Sequence, residues 1–288
     1  MRPRVFSSGC GGRGRYYTRD MARDGSYPHG HHPSVLASHG WRTAENSAGY
    51  LLPHLTEGSD LLDVGCGPGT ITVGLARRVA PGRAVGLDPA SEALMKASEL
   101  ADASGVENVL FEQGDVHSLP YADDAFDVVH AHQLLQHLSD PVTALVEMAR
   151  VTRRGGLIAV RDADYAAMTW YPDSPGLDRW RELYHTVARR SGGEPDAGRR
   201  LLAWAHEAGF QDVTASAGVW CYADADDRAW WSRTWATRVT RSGLAEHALE
   251  EGLATAEELE ELAQAWRDWG GHDDGWFTVV HGEILIRV

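Results

Sequence analysis

Residues 61–70 read Leu61-Leu62-Asp63-Val64-Gly65-Cys66-Gly67-Pro68-Gly69-Thr70: an apolar strand with an acid near its end, three glycines at alternate positions, then a helical pattern. Gly65, Gly67 and Gly69 let the backbone turn sharply and touch a ligand, because a Cβ at those positions would fill the ligand's space. Asp63 sets a fixed negative charge beside that ligand. A dinucleotide turn of the G-x-G-x-x-G type lays pyrophosphate on the helix N-terminus, where a nearby carboxylate would repel it. The spacing here is tighter, and Asp63 suits a ligand that carries an ammonium group.

Outward from this turn, strand and helix patterns alternate from about residue 59 to residue 161, as in βαβ units that build a parallel sheet. Strands are expected at 60–64, 84–87, 109–112, 126–130 and 157–161. Helices are expected after Pro68, where Ile71, Val73, Leu75 and Val79 are the apolar positions, and over 91–103 and 141–151. Short apolar strands fit a sheet covered on both faces. A helical stretch over 177–208 leads to two further strands, 213–222 and 276–288, expected as an antiparallel hairpin on the sheet edge. The helical segment between them is far longer than a hairpin loop needs, so 224–272 reads as an inserted cap.

The expected fold is therefore α/β: a Rossmann-like, doubly wound seven-stranded sheet, mostly parallel, with one antiparallel edge hairpin and a helical cap insertion. Residues 58–288 form that domain, 21–57 a helical N-terminal lid with helical spacing around Trp41 and Tyr50, and 1–20 a disordered tail. The tail is Gly- and Arg-rich without a period or a signal-peptide core. It reads as an extension ahead of a start at Met21, or as a basic arm for an acidic partner.

The chain has 288 residues, 43% of them hydrophobic, and no segment approaches the roughly 18 apolar residues of a membrane span. A formal charge of −14 disfavours binding to a phosphate backbone. Cys10, Cys66 and Cys221 are too few and too scattered for a disulfide framework or a four-ligand zinc site. These features predict a cytoplasmic, soluble protein with a small-molecule partner, without nucleic acid or membrane, as a monomer or homodimer.

Asp88 ends the second strand, where an acid can accept hydrogen bonds from both hydroxyls of a ribose; opening a turn before Pro89 is its other use. Gly114-Asp115-Val116 follows the third strand. A glycine turn followed by acids after the next two strands resembles the class I S-adenosylmethionine-dependent methyltransferases. Leu119-Pro120-Tyr121-Ala122-Asp123-Asp124-Ala125-Phe126-Asp127-Val128-Val129, Asp140-Pro141 and Arg153-Arg154-Gly155-Gly156 extend the resemblance to the small-molecule, quinone-biosynthesis-like (type 11) group. It covers residues 59–161 well. It implies S-adenosyl-L-methionine as cofactor, held by Asp63, Gly65, Cys66, Gly67, Gly69, Thr70, Asp88, Pro89, Asp115, Val116 and Ala131. Asp115 would accept from the adenine amino group, with the next backbone amide against the ring. The stretches 27–32 and 41–46 resemble the N-terminus of one subgroup, so Tyr27, Arg42 and Asn46 join the cofactor candidates. Arg42 and Asn46, four apart, would share one helix face, either toward the cofactor's carboxylate or in solvent.

Three departures from the family pattern bear on chemistry. His130 and His132 stand where small hydroxyl residues are common, beside the methyl group in this fold. Gln136 replaces the first histidine of a common pair, which leaves His137 for packing or catalysis. An imidazole of ordinary pKa, about 6.5, can take a proton near neutral pH, so His132 and then His130 are the expected bases. The histidines at 29, 31, 32 and 39 lack the ligand spacing of a structural zinc site, and no metal is expected.

Most of the 11 tryptophans lie in the later half and must be core. Trp170, Tyr171, Trp231 and Trp235 are the expected pocket wall. Asp162, Asp164 and Tyr165 are expected just after the fifth strand, where ligands bind in open α/β sheets; one acid could anchor or deprotonate a substrate, or Asp164 could cap a helix. The expected reaction is methyl transfer to oxygen, nitrogen or carbon of a small, largely apolar metabolite, which depends on alignment and desolvation. A catalytically silent module that binds the same cofactor is the alternative from another class. A nicotinamide-dependent oxidoreductase is disfavoured by the tight glycine spacing and Asp63.

Overall fold

The strand order is what places a site in this protein. The computed structural model describes residues 41–288. Seven strands run in the described chain: β1 (Leu61–Val64), β2 (Ala84–Asp88), β3 (Val109–Gln113), β4 (Phe126–His132), β5 (Thr152–Tyr171), β6 (Val213–Tyr222) and β7 (Trp276–Arg287). They form one sheet in the order β3-β2-β1-β4-β5-β7-β6. Strands β3 to β5 pair in parallel, and β7 pairs antiparallel with both β5 and β6. The order reverses between β1 and β4, which opens a crevice at their carboxyl ends.

Helices α1 (Ala44–Ser47), α2 (Thr70–Val79), α3 (Ser91–Ala103), α4 (Pro141–Val151), α5 (Pro175–Arg190) and α6 (Leu201–Glu207) follow, and α7 (Ala225–Arg241), α8 (Gly243–Glu250) and α9 (Ala256–Gly270) lie between β6 and β7. Side-chain caps fix several starts. Asp140, Ser174, Asp224 and Thr255 each accept from a backbone N–H three residues on, and Pro141 and Pro175 supply preset first-turn backbone.

Leu62, Val64, Val129, Ile158, Val160, Ile284 and Ile286 pack with α4 and α6 on one face. Leu61, Val128, Leu157 and Ala159 pack with α1 and α2 on the other. Further along that second face, the long ends of β5, β7 and β6 carry an aromatic core with α5 and α7 to α9. Alternation along the strands puts the acids and histidines between these two apolar clusters onto one face.

Three expectations need correction. The helix over 177–208 is broken: α5 ends at Arg190, Gly192 takes φ +85°, and Gly193 and Pro195 delay the chain until a short 3₁₀ turn at Ala197–Arg200 leads into α6. The fifth strand does not stop at 161. Pairing with β7 carries it to Tyr171 across a register shift between Asp164 and Thr169, so Asp162, Asp164 and Tyr165 lie inside the strand. Arg42 and Asn46 do not share a helix face, because the helix starts at Ala44 and Thr43 is its cap.

Candidate active site

At the carboxyl end of β1, Gly65, Gly67 and Gly69 take φ of +72°, +53° and +76°, the left-handed region that side chains resist. Packing demands glycine as well: a Cβ at Gly69 would lie 2.8 Å from the Cβ of Ala97 and 3.0 Å from Phe111. The Asp88 carboxylate holds this turn, accepting from the N–H of Gly67 and of Ala90 at 2.9 Å each. Beyond β3, Asp115 stays exposed and accepts from the backbone and ring of His117, while Val116 is buried. Cys66 lines the turn as a protonated thiol, its pKa pushed up by burial and by the nearby Asp63 and Asp88.

Asp63 does not present its carboxylate outward. It is buried, one oxygen accepting from the Thr72 hydroxyl at 2.5 Å and the other 2.7 Å from Nδ1 of His130. A carboxylate only accepts, so the His130 proton sits on Nδ1. The pair ties β1 to β4 and α2, and what it offers a ligand is the field of a buried charge. His130 is fully buried in this joint.

From His130 a polar stripe crosses the sheet on one face. Register sets His132 beside Arg161, Arg161 beside Glu283, and His281 two residues from Glu283 on β7, on the same face. Arg161 Nε donates to Glu283 at 3.0 Å, Ser216 donates to the other Glu283 oxygen, and Gly218 leaves room for the ion pair. Burial pushes His132 well below the usual imidazole value, and the charges of Arg42 and Arg161 push it further. His281 is lowered by the same causes. His132 is therefore neutral near pH 7 but a poor proton acceptor, which corrects the expectation of an ordinary imidazole base. It makes no hydrogen bond from either ring nitrogen.

Against this stripe lies a pocket of about 370 Å³, part of it open to solvent. Trp41, Trp220, Tyr222, Trp230 and Trp231 supply flat walls, Tyr165 and Met168 contribute from β5, and Arg42, Gln133 and Arg238 are the polar lining. Trp220 Nε1 donates to the Asn46 carbonyl at 2.8 Å, which seats the segment around α1 over the sheet. Of the expected wall residues, Tyr165 and Trp231 line this pocket. Trp235 does not, being buried in the aromatic core against Trp180. Trp170 stacks on Phe277 outside the pocket, and Tyr171 is 56% exposed. Asp164 is spent in a two-point ion pair with Arg199, at 2.5 and 2.6 Å. The Asn46 side chain closes the cap of α1 on Thr43 and Trp41 instead of reaching outward.

A family model described as a methyltransferase domain matches residues 55–209. An uncharacterised methyltransferase of Schizosaccharomyces pombe is 36% identical over 272 residues, spanning 91% of this chain and 96% of that one. The chain belongs to the class I S-adenosylmethionine-dependent methyltransferases. This methyltransferase is also 40% identical over 103 residues to a ubiquinone/menaquinone biosynthesis C-methyltransferase of Bdellovibrio bacteriovorus, across 36% of its own length and 43% of the other. Among solved structures, the YcgJ protein of Bacillus subtilis superposes with a TM-score of 0.53 at 23% identity, covering 83% of this chain and 97% of that one, a likeness of fold.

The methyltransferase's residues fit its cofactor. A left-handed glycine turn admits close backbone approach, and the acids at Asp88 and Asp115 accept hydrogen bonds but cannot donate them. Tyr27 and the histidines at 29, 31, 32 and 39 lie outside the described residues. Among the described residues no group of three or more His, Cys, Asp or Glu is disposed to hold a metal, and no helix is long and apolar enough to cross a membrane.

Sequence reasoning missed Gln133, Tyr222, Arg238 and His281. Only the left-handed φ of +51° at Gln133 marks it as unusual, and nothing in the sequence announces that. Tyr222 and His281 reach the site through pairing between strands far apart in the chain, and Arg238 reaches it from α7.

Proposed function

We propose that this methyltransferase transfers a methyl group to an oxygen, nitrogen or carbon of a small, largely apolar metabolite bound in the aromatic pocket. The observation that carries this is the wall of tryptophans beside the end of β4, where Gln133 lines the pocket and the next residue, Leu134, packs on Gly65 of the glycine turn. Such walls bury planar molecules and exclude water. S-adenosylmethionine, when bound, supplies an electrophilic methyl. Asp88 and Asp115, with the turn at 65–70, are proposed to hold it through the ribose and adenine.

The chain's own contribution is then alignment and desolvation. The segment around Trp41 is proposed as the lid over the pocket, and 224–272 as the cap that sets its depth. His132 is proposed to face the reacting region as a neutral imidazole that orients a donor group. His130, tied to Asp63, is proposed to stiffen the site. We place the protein in the cytoplasm.

The test is methyl-labelled cofactor with the purified full-length chain and fractionated small-molecule extracts. Label should pass to an apolar product, and Asp88→Ala should weaken S-adenosylhomocysteine binding by about 10–100-fold through loss of charged hydrogen bonds. Unlabelled extracts in the presence of bound cofactor would overturn the reading.

A further inference from the structure

Asp162 lies inside β5, fully buried, and takes no part in the lining of the aromatic pocket. Its carboxylate meets the short 3₁₀ turn at Leu135–His137, which follows β4. The first N–H groups of such a turn have no partner within it. Leu134, the residue before the turn, has no side-chain acceptor to offer, so the next strand supplies one. Oδ1 of Asp162 accepts from the Gln136 N–H at 3.2 Å, and the Leu135 N–H bonds to the same carboxylate.

What this turn carries links it to the cofactor. Leu134 packs on Gly65, where a Cβ would lie 3.0 Å from Leu134 Cδ1. Two backbone contacts hold the segment as well. The Gln133 N–H donates to the Arg161 carbonyl at 2.7 Å, and the Gln136 carbonyl accepts from the Glu194 N–H at 2.9 Å. Neither involves the N–H groups that Asp162 meets.

Oδ2 of Asp162 is buried and has no hydrogen-bond partner among the described residues. A proton taken up there leaves Oδ1 a neutral carbonyl, and a charge-assisted hydrogen bond is roughly twice as strong as a neutral one. Burial pushes Asp162 up to about 7, so this change falls near neutral pH. Arg161 on the same strand and Arg42 from the N-terminal segment favour the ionised form, and Tyr50 lies close enough to feel its charge. Asp164 is paired with Arg199, and Glu194 with Arg189 and Arg200. On β7, Glu283 and His281 flank its partner Gly282 but face the other side of the sheet. His137, on the turn itself, is held neutral by burial, its pKa lowered to about 3.

We infer that Asp162 is a positioning residue for cofactor binding: its carboxylate holds the turn that sets Leu134 against the glycine turn, and uptake of a proton there loosens that support. This goes beyond the proposed function and stands whatever the methyl acceptor is. Above about pH 7 the ionised carboxylate grips both N–H groups, and below it the grip weakens.

The experiment is calorimetric titration of S-adenosylhomocysteine into the full-length chain at pH 8 and pH 6. Wild-type affinity should fall by about fivefold between them, the difference between a charged and a neutral hydrogen bond. Asp162→Asn, which keeps the shape of the neutral carboxyl, should bind within about twofold of the wild type at pH 6, and equally at both values. His117, against Asp115, is another imidazole that can change charge near the cofactor acids, so the profile is repeated in His117→Gln, where the fall should remain. A second measurement needs no variant: hydrogen-exchange protection of the Leu135 and Gln136 amides in the wild type should drop by a similar factor from pH 8 to pH 6. A flat wild-type profile, a fall that persists in Asp162→Asn or vanishes in His117→Gln, or protection unchanged with pH would each overturn the inference. Tight cofactor binding at both pH values would leave the methyltransferase proposal untouched.

Discussion

The sheet divides at β4 and β5 into halves built on different principles. In β3-β2-β1-β4 the strands are short and parallel, and the turns between them carry the chemistry: three left-handed glycines and the acid that clamps them. In β7-β6 and the far end of β5 the strands are long and antiparallel, and tryptophans from β6, α5, α7 and α9 meet over them. The first half constrains backbone, and the second fills volume. A ligand bound across the boundary therefore meets a rigid, nearly side-chain-free cradle on one side and an assembled aromatic wall on the other.

The sharpest way to break that contrast is Trp180→Ala. Trp180 is fully buried, with Trp235 at 4.5 Å and Trp266 at 4.8 Å between ring centroids. Its truncation should cost about 3–5 kcal/mol in urea unfolding, while calorimetry at low temperature should find S-adenosylhomocysteine affinity within about twofold of wild type. A large loss of cofactor affinity would show that the halves are not separable.

Acid should next expose the stripe between the halves. Burial holds His132 and His281 well below the usual imidazole value and His137 down to about 3. Below pH 6.5 the unfolded chain takes up a proton at each while the folded chain does not, so each removes up to about 1.4 kcal/mol of stability per pH unit as pH falls. Asp162 acts in the opposite sense. Burial pushes it up to about 7, so the folded chain keeps a proton that the unfolded carboxylate releases above about pH 4. That offsets one imidazole. The net loss should be about 2–3 kcal/mol per pH unit between pH 6 and 4, measured by urea titrations across that range. A flat profile would mean the stripe is wetter than its burial implies.

The smallest effect should come from Asn46→Ala. Loss of the capping box should cost about 1 kcal/mol without changing cofactor affinity. A tenfold fall in that affinity would restore Asn46 as a cofactor residue.

The two halves also differ in how far they could be read from sequence. The glycine turn, Asp88 and the parallel strands were legible because each is a local demand on a few consecutive residues. The hairpin of β6 and β7 was legible too, through its alternation and the excess length between its strands. The extent of β5 was not, since residues 162–171 are strand only because β7 lies against them. Trp231 and Trp235 illustrate the same limit: four apart on α7, both apolar and aromatic, one reaches the pocket and the other is sealed in the core. Asp164 looked like a substrate acid until Arg199, from beyond a broken helix, claimed it.

Strands β6 and β7 are direct partners at their distal ends, where Tyr222 pairs with Phe277. The three helices between them therefore leave and rejoin the sheet at one point. Closing a loop there depends only weakly on how long the loop is, so the connections between these helices can change in length without opening the hairpin, provided the aromatic core over β5 to β7 stays covered. The insertion thus hangs from a single paired junction, remote in sequence from the glycine turn after β1.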